Sequence, residues 1–141
     1  MTTNIKSPAE RNTNQRRAIR DAIKTADRPL SPQEILTAAR PVVPSLGIAT
    51  VYRTLKTLVS NGWLSVVDLP GEPPRYEVHG KGHHHHFRCK TCGRVFEIHG
   101  CDHNLAQLTP EGFHLTGHEL FLFGHCRECV ARTPALATLG N

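Results

Sequence analysis

Apolar residues recur at helical spacing between Thr13 and Ala26, where Ala18, Ile19, Ala22, Ile23 and Ala26 share one side. Pro29 closes that segment. Ser31-Pro32-Gln33-Glu34 then carries three agreeing start signals: a capping hydroxyl, a first-turn proline and a glutamate that completes a capping box. The second helix continues through Ile35, Leu36, Ala38 and Ala39 and must stop before Pro41. A third is predicted from Gly47 or Ile48 to Asn61, with Gly62 as its stop. Its stripe of Ile48, Val51, Leu55, Leu58 and Val59 faces inward. Thr50, Arg53, Thr54 and Thr57 are left outside, with Tyr52 and Lys56 toward the flanks. Two extended runs follow, Trp63–Leu69 and Arg75–Val78, around a turn-rich Pro70-Gly71-Glu72-Pro73-Pro74 tip.

Three helices and a hairpin predict a winged helix-turn-helix, with the last helix in a major groove and the wing along the backbone. Short hydroxyls and an arginine on the outer face suit base edges and phosphates better than the Glu/Lys-rich face of a plain helical bundle.

The pattern changes at Gly80-Lys81-Gly82, read as a hinge. Beyond it, His84–Arg88 and Arg94–Ile98 look like strands flanking a Cys-x-x-Cys knuckle, and Asp102–Leu108 like a short helix ended by Pro110. Phe113–Phe123 reads as one long strand, apolar on both faces near its end, which calls for a partner surface and suggests a dimer interface. The tail after Arg132 reads as frayed. The expectation is an α+β chain with three parts. Residues 1–79 form a winged-helix DNA-binding domain, 80–82 a hinge, and 83–141 an α/β dimerisation domain with a four-cysteine zinc site.

Charge sharpens this division. Residues 1–66 hold ten Lys/Arg against four acids, net +6, whereas the remainder of the +5 chain is near neutral. All ten histidines and all five cysteines lie at or beyond His79. A polyanion-binding front is thus joined to a metal-ligand-rich back. No apolar run approaches a membrane span, and the first eight residues have no signal-peptide core, so a cytoplasmic, membrane-free protein is expected.

Cys89-x-x-Cys92 and Cys126-x-x-Cys129 have knuckle spacing, which lets both sulfurs of each pair face one tetrahedral ion. Four thiolates leave no open coordination position, so structural zinc is expected. Disulfides are the alternative, and a reducing compartment argues against them. A zinc-dependent hydrolase or deaminase would need an open metal position and a general acid/base. No His-x-Glu or His-Glu-x-x-His motif supplies one.

The run His83-His84-His85-His86 lies just ahead of Cys89. In an extended strand side chains alternate, so His84 and His86 point one way and His83 and His85 the other. The first face has Glu77, His79 and Glu97 as candidate co-ligands for a regulatory metal. The second has His118, Cys101 and His103 for another. Nitrogen and oxygen ligands with an occasional thiolate suit zinc, iron or manganese to different degrees. Ligands drawn from both halves would fix the angle between the DNA-reading and dimer modules on metal binding. His99, His114 and His125 are read as ordinary surface or core residues.

Several stretches together resemble the ferric uptake regulator family over about residues 11–130. They are Thr13-Asn14-Gln15-Arg16-Arg17, Ala49-Thr50-Val51-Tyr52-Arg53-Thr54-Leu55 and Arg75-Tyr76-Glu77, then the histidine strand, Cys89-x-x-Cys92-Gly93 and Gly124-His125-Cys126-x-x-Cys129. The resemblance implies a homodimeric bacterial transcription factor, usually a repressor, that binds palindromic operator DNA when loaded with metal. It places Tyr52 and Arg53 on the recognition helix and Arg16 and Arg17 near phosphates, within a DNA-facing set completed by Thr50, Thr54, Lys56 and Thr57. Iron and peroxide sensors of the family typically carry a histidine just before the second helix, where this chain has Pro29. His79 and Cys101 are instead similar to features of zinc uptake regulators, whereas Ser65 stands where some zinc sensors have an acidic ligand. The resemblance thus implies a regulatory Zn2+, with Fe2+, Mn2+ or a peroxide-read iron as the alternative signal.

Overall fold

A computed structural model describes residues 7–140, apart from the side chain of His103. Contacts between Cα atoms divide the chain after Gly80 into two compact units.

The first unit opens with α1 (Pro8–Ala26), which starts five residues before the periodic apolar run. The added turns come from a cap and not from burial. Ser7 accepts from the Glu10 amide at 3.2 Å, and Glu10 accepts from the Ser7 amide at 2.8 Å. Asp27 stops the helix in a left-handed conformation, φ 47°. The second helix, α2 (Pro32–Ala39), has the capping box read from its sequence, with Glu34 N–H donating to Ser31 Oγ at 3.2 Å. Arg28 reaches the Glu34 carboxylate at 2.5 Å and ties the cap to the loop before it. The third helix, α3 (Ile48–Ser60), follows Gly47, and Gly62 beyond it adopts φ 80°, a conformation that strains other residues.

Ile19, Ile23, Ile35, Leu36, Val51, Leu55 and Leu58 make the core of this unit. Two expectations for α3 are corrected. Ile48 is 37% exposed at the first turn, and Thr54 is only 5% exposed, inside the core and not among the DNA-facing residues. Thr54 precedes Leu55 and lies four residues before Leu58, so it falls within the buried stripe.

The wing is β1 (Leu64–Val67) antiparallel to β2 (Arg75–Val78), in register Leu64↔Val78 to Val67↔Arg75. Leu30 adds an isolated bridge to Tyr76, exchanging N–H···O bonds of 3.0 and 2.9 Å, and so pins the wing to the loop before α2. This is the winged helix-turn-helix expected from the sequence.

The second unit is a three-stranded sheet in the order β4-β3-β5, from β3 (His85–Cys89), β4 (Val95–Ile98) and β5 (Phe121–Gly124). β3 pairs antiparallel with β4 and parallel with β5. The long strand expected over Phe113–Phe123 is corrected. The ladder spans only Phe121–Gly124: the His86 N–H donates to Leu120 O at 3.3 Å where pairing with β3 begins, and residues 113–119 have no strand partner among the described residues. Leu122 and Phe123 stay exposed at this sheet edge. The segment read as a helix at Asp102 is a 3-10 turn, His103–Leu108, capped by Asp102. A short helix not read from the sequence, α4 (Arg127–Arg132), follows Cys126, and the tail after Arg132 read as frayed forms a 3-10 turn, Pro134–Thr138, whose Leu136 packs on the cysteines.

The two units hold together by different means. In the second, the buried apolar residues among those described are Val95 and three cysteines. That is too little burial to stabilise sixty residues on its own.

Ser31→Ala removes the second-helix cap without touching the core. It is expected to cost about 1 kcal/mol in urea denaturation of the full chain. A loss near zero would show that the Arg28–Glu34 pair, not the cap, fixes that corner.

Candidate metal centres and nucleic-acid face

The two knuckles close on each other because β3 ends at Cys89 and β5 ends just before Cys126, side by side in parallel register, Cys89↔Gly124. Lys90 N–H donates to Gly124 O at 2.7 Å, and a Cβ at position 124 would come within 3.0 Å of the Phe87 ring. Gly93, at φ 75°, turns the first knuckle, and its amide donates to Cys89 O at 2.9 Å.

The sulfurs of Cys89, Cys92, Cys126 and Cys129 all lie within 4.8 Å of one another. Tetrahedral Zn–S bonds of about 2.3 Å would put sulfurs about 3.8 Å apart. Cys92 Sγ and Cys126 Sγ are 3.9 Å apart, far beyond a disulfide's length. Amides of Cys92 and Cys126 donate to Cys89 Sγ at 3.5 and 3.3 Å. Arg94 Nε donates to Cys92 Sγ at 3.2 Å, and Arg132 to Cys129 Sγ at 3.3 Å. Burial pushes the Cys89 thiol up, but the surrounding N–H groups more than offset it and hold it at about 6. For Cys92 burial again acts upward, and Arg94 leads the donors that bring it down. At Cys129 the Arg132 hydrogen bond lowers the thiol, yet burial and the three neighbouring sulfurs prevail and raise it to about 11. Such a set can hold one soft cation and has no vacant corner for catalysis.

Arg94 and Arg132 escaped the sequence reading. The available signal was an arginine two positions after Cys92 and another three after Cys129, close enough to donate to sulfur. Arg94 is held in turn by Glu128 at 2.5 Å.

β3 begins at His85, one residue later than read, and the four histidines still divide by alternate position into two groups. On one face His83, His85, Cys101 and His118 gather with all ligand atoms within 4.8 Å. His118 Nε2 lies 3.2 Å from His83 Nε2, 3.2 Å from His85 Nε2 and 3.0 Å from Cys101 Sγ. His85 Nε2 is 3.4 Å from the same sulfur. One ring nitrogen has a single proton or a single lone pair, so it cannot hydrogen-bond to three partners. A cation at the centre would let every nitrogen use its lone pair, and Zn–N bonds of about 2.0 Å predict nitrogens about 3.3 Å apart. Burial, then the neighbouring imidazoles, lower the His85 pKa and so favour the neutral form of that ring. The side chain of His103, the fifth residue read for this group, lies outside the described residues.

On the other face, the His84 and His86 rings meet at 4.8 Å. His84 Nδ1 donates to Gly82 O at 2.8 Å, which fixes the tautomer with the lone pair on Nε2. Glu97 is the cross-strand partner of His86, and its carboxylate holds Lys81 at 2.5 Å. Glu77 and His79 belong to the first unit. Glu77 pairs across the wing with Ser65, and His79 Nδ1 is hydrogen-bonded to Ser65 Oγ at 2.7 Å. His125 is bonded to Thr91 at 2.9 Å, an ordinary role.

Of the α3 residues read as DNA-facing, Tyr52, Arg53, Lys56 and Thr57 are exposed and Thr50 is half-buried. Arg53 donates to Thr50 Oγ1 at 3.1 Å. Arg16 and Arg17 are exposed on α1.

Against known families, the model of the ferric uptake regulator family matches residues 9–123. The chain belongs to that family. It is 33% identical over 122 residues to the ferric uptake regulation protein of Campylobacter jejuni, covering 83% of this chain and 78% of that one. It is also 33% identical over 122 residues to the zinc uptake regulation protein of Mycobacterium tuberculosis, covering 84% and 94%. Among solved structures, the ferric uptake regulator of Helicobacter pylori, described as having three functional metal binding sites, superposes with a TM-score of 0.61. It shares 29% identity and covers 82% of this chain and 79% of its own. This member of the ferric uptake regulator family is a metal-responsive transcriptional regulator, not an enzyme. No helix among the described residues is long and apolar enough to cross a membrane.

Cys126→Ser should release one zinc per chain and unfold the second unit, read by elemental analysis and loss of sheet signal in circular dichroism. Retention of one zinc and of the fold would sink the four-thiolate assignment. Cys101→Ser should leave that ion in place and weaken a second zinc about tenfold or more, seen in chelator competition.

Proposed function

We propose that this chain is a zinc-responsive homodimeric repressor of the cytoplasm that binds palindromic operators in double-stranded DNA. Zinc held by Cys89, Cys92, Cys126 and Cys129 serves structure in this reading, and zinc at the histidine strand carries the signal. The observation that supports it most is the mixed group of three imidazoles and one thiolate at His83, His85, Cys101 and His118. A thiolate among imidazoles favours zinc over manganese, which prefers oxygen, and suits it better than an iron site rich in carboxylate. The absence of any histidine before His79 agrees, since it leaves the first 78 residues without an imidazole ligand.

His84 and His86 act as regulatory ligands on the opposite face, where Glu97 must exchange Lys81 for the ion. Glu77 and His79 complete the set read from the sequence. The exposed apolar edge at Leu122 and Phe123 supports pairing with a second copy. Thr50, Tyr52, Arg53, Lys56 and Thr57 face the major groove, and Arg16 and Arg17 the phosphates.

Graded free zinc in a gel shift against the promoter of a zinc-uptake gene is the test. DNA affinity should rise about 5- to 150-fold as the second site fills, as an allosteric coupling of about 1–3 kcal/mol requires. His85→Ala should abolish that rise while the cysteine-held zinc remains. Equal affinity with and without regulatory zinc rejects the reading, and a rise with Mn2+ or Fe2+ alone transfers the signal to that metal.

A further inference from the structure

The outer face of α1 carries more cations than the DNA reading has used. Arg16, Arg20 and Lys24 recur every four residues and so stand in one row, with Arg17 beside them. Together with Thr13 and Asp21 they line a shallow groove of about 370 Å3. All four cations are exposed, and among the described residues none is ion-paired. Asp21 is the one acid on the groove.

What separates this row from an ordinary solvated face is Trp63. The Arg20 guanidinium carbon sits 4.5 Å from the centre of the indole ring and Lys24 Nζ 5.8 Å from it. Trp63 is itself fixed, packed against the core of the first unit. Stacking occupies the face of a guanidinium and leaves its N–H donors, which lie in the plane, directed outward. Arg20 is therefore held in place with its hydrogen-bonding edge presented, at less entropic cost than a swinging arginine. From Arg16 to Lys24 the row runs about 12 Å along the helix. One DNA strand places a phosphate about every 3.4 Å of axis, so the row spans about three phosphates.

We propose that Arg20 and Lys24, shelved on Trp63, extend the Arg16–Arg17 contact into a continuous track for a phosphodiester backbone. The track is independent of base sequence and of the regulatory metal. It rests on the DNA-binding part of the proposed function and not on its zinc part.

The test is the salt dependence of binding to a 30-base-pair duplex of arbitrary sequence, with and without added zinc, for wild type, Arg20→Gln, Lys24→Gln and the double variant. Each lost phosphate contact should lower the slope of log K against log salt by about 0.9, and the double variant by about 1.8. The slope should not depend on zinc. Asp21→Asn should tighten binding at unchanged slope. Arg20→Lys should keep the slope and lose affinity, because charge remains while the fork is gone.

Wild-type slopes in both single variants overturn the track. So does a loss of affinity in Arg20→Gln at unchanged slope together with a lower melting temperature, which would reduce Arg20 to a packing partner of Trp63. Weakened retention on poly-glutamate with unchanged DNA slopes would assign the groove to an acidic protein and equally overturn it. Should operator binding prove indifferent to zinc while these slopes fall as stated, the zinc reading fails and the track stands.

Discussion

Four sulfurs brought within bonding reach of one point are the constraint on which the second half of this protein depends. The unit around them has almost no apolar interior: among the described residues Val95, Cys89, Cys126 and Cys129 are the apolar ones it buries. Sheet hydrogen bonds alone do not hold three strands of four or five residues in water. The sulfurs tie together the ends of β3 and β5, the start of α4 and the turn after β3. Crowded thiolates repel one another, and N–H donors from Arg94 and Arg132 offset only part of that repulsion. A divalent cation held among them would offset the rest. The first unit needs none of this, since its helices and wing close on an aliphatic core.

With Cys89 anchored, the alternation of β3 is also fixed, and the histidine run becomes two separate chemical surfaces. Pairing with β4 places His86 opposite Glu97, and pairing with β5 places it opposite Phe121. The sheet therefore sorts imidazoles by parity. Odd positions reach Cys101 and His118, and even positions face Glu97's side of the hairpin. On the proposed function, one short strand would thus serve both the structural and the regulatory ion.

Where local chemistry decides the structure, the sequence was legible. Ser31, Pro32 and Glu34 form the second cap as read, because a capping box involves only four neighbouring residues. Strand parity pairs His83 with His85, and Cys101 and His118, two of the partners read for that pair, gather with them. Misreadings arose where a neighbour decides. Thr54 looked polar and outward, but the buried stripe of α3 is wide enough to include it. Residues 113–119 had strand composition, yet the ladder with β3 spans only Phe121–Gly124. The tail looked frayed because nothing in its composition shows that Leu136 meets the cysteines. Arg94 and Arg132 went unread because second partners of a sulfur have no fixed spacing.

His85 and Cys89 stand four residues apart on β3, an even separation, so both side chains leave the strand on the same side. The sulfur-bound end is the stiff end, and the imidazole end inherits its position across roughly 13 Å of extended backbone. On the proposed function, filling would therefore have an order: a freshly made chain that has not yet closed its sulfurs offers no frame for the nitrogens. Scarcity would empty the imidazole end first and leave a folded protein ready to be refilled.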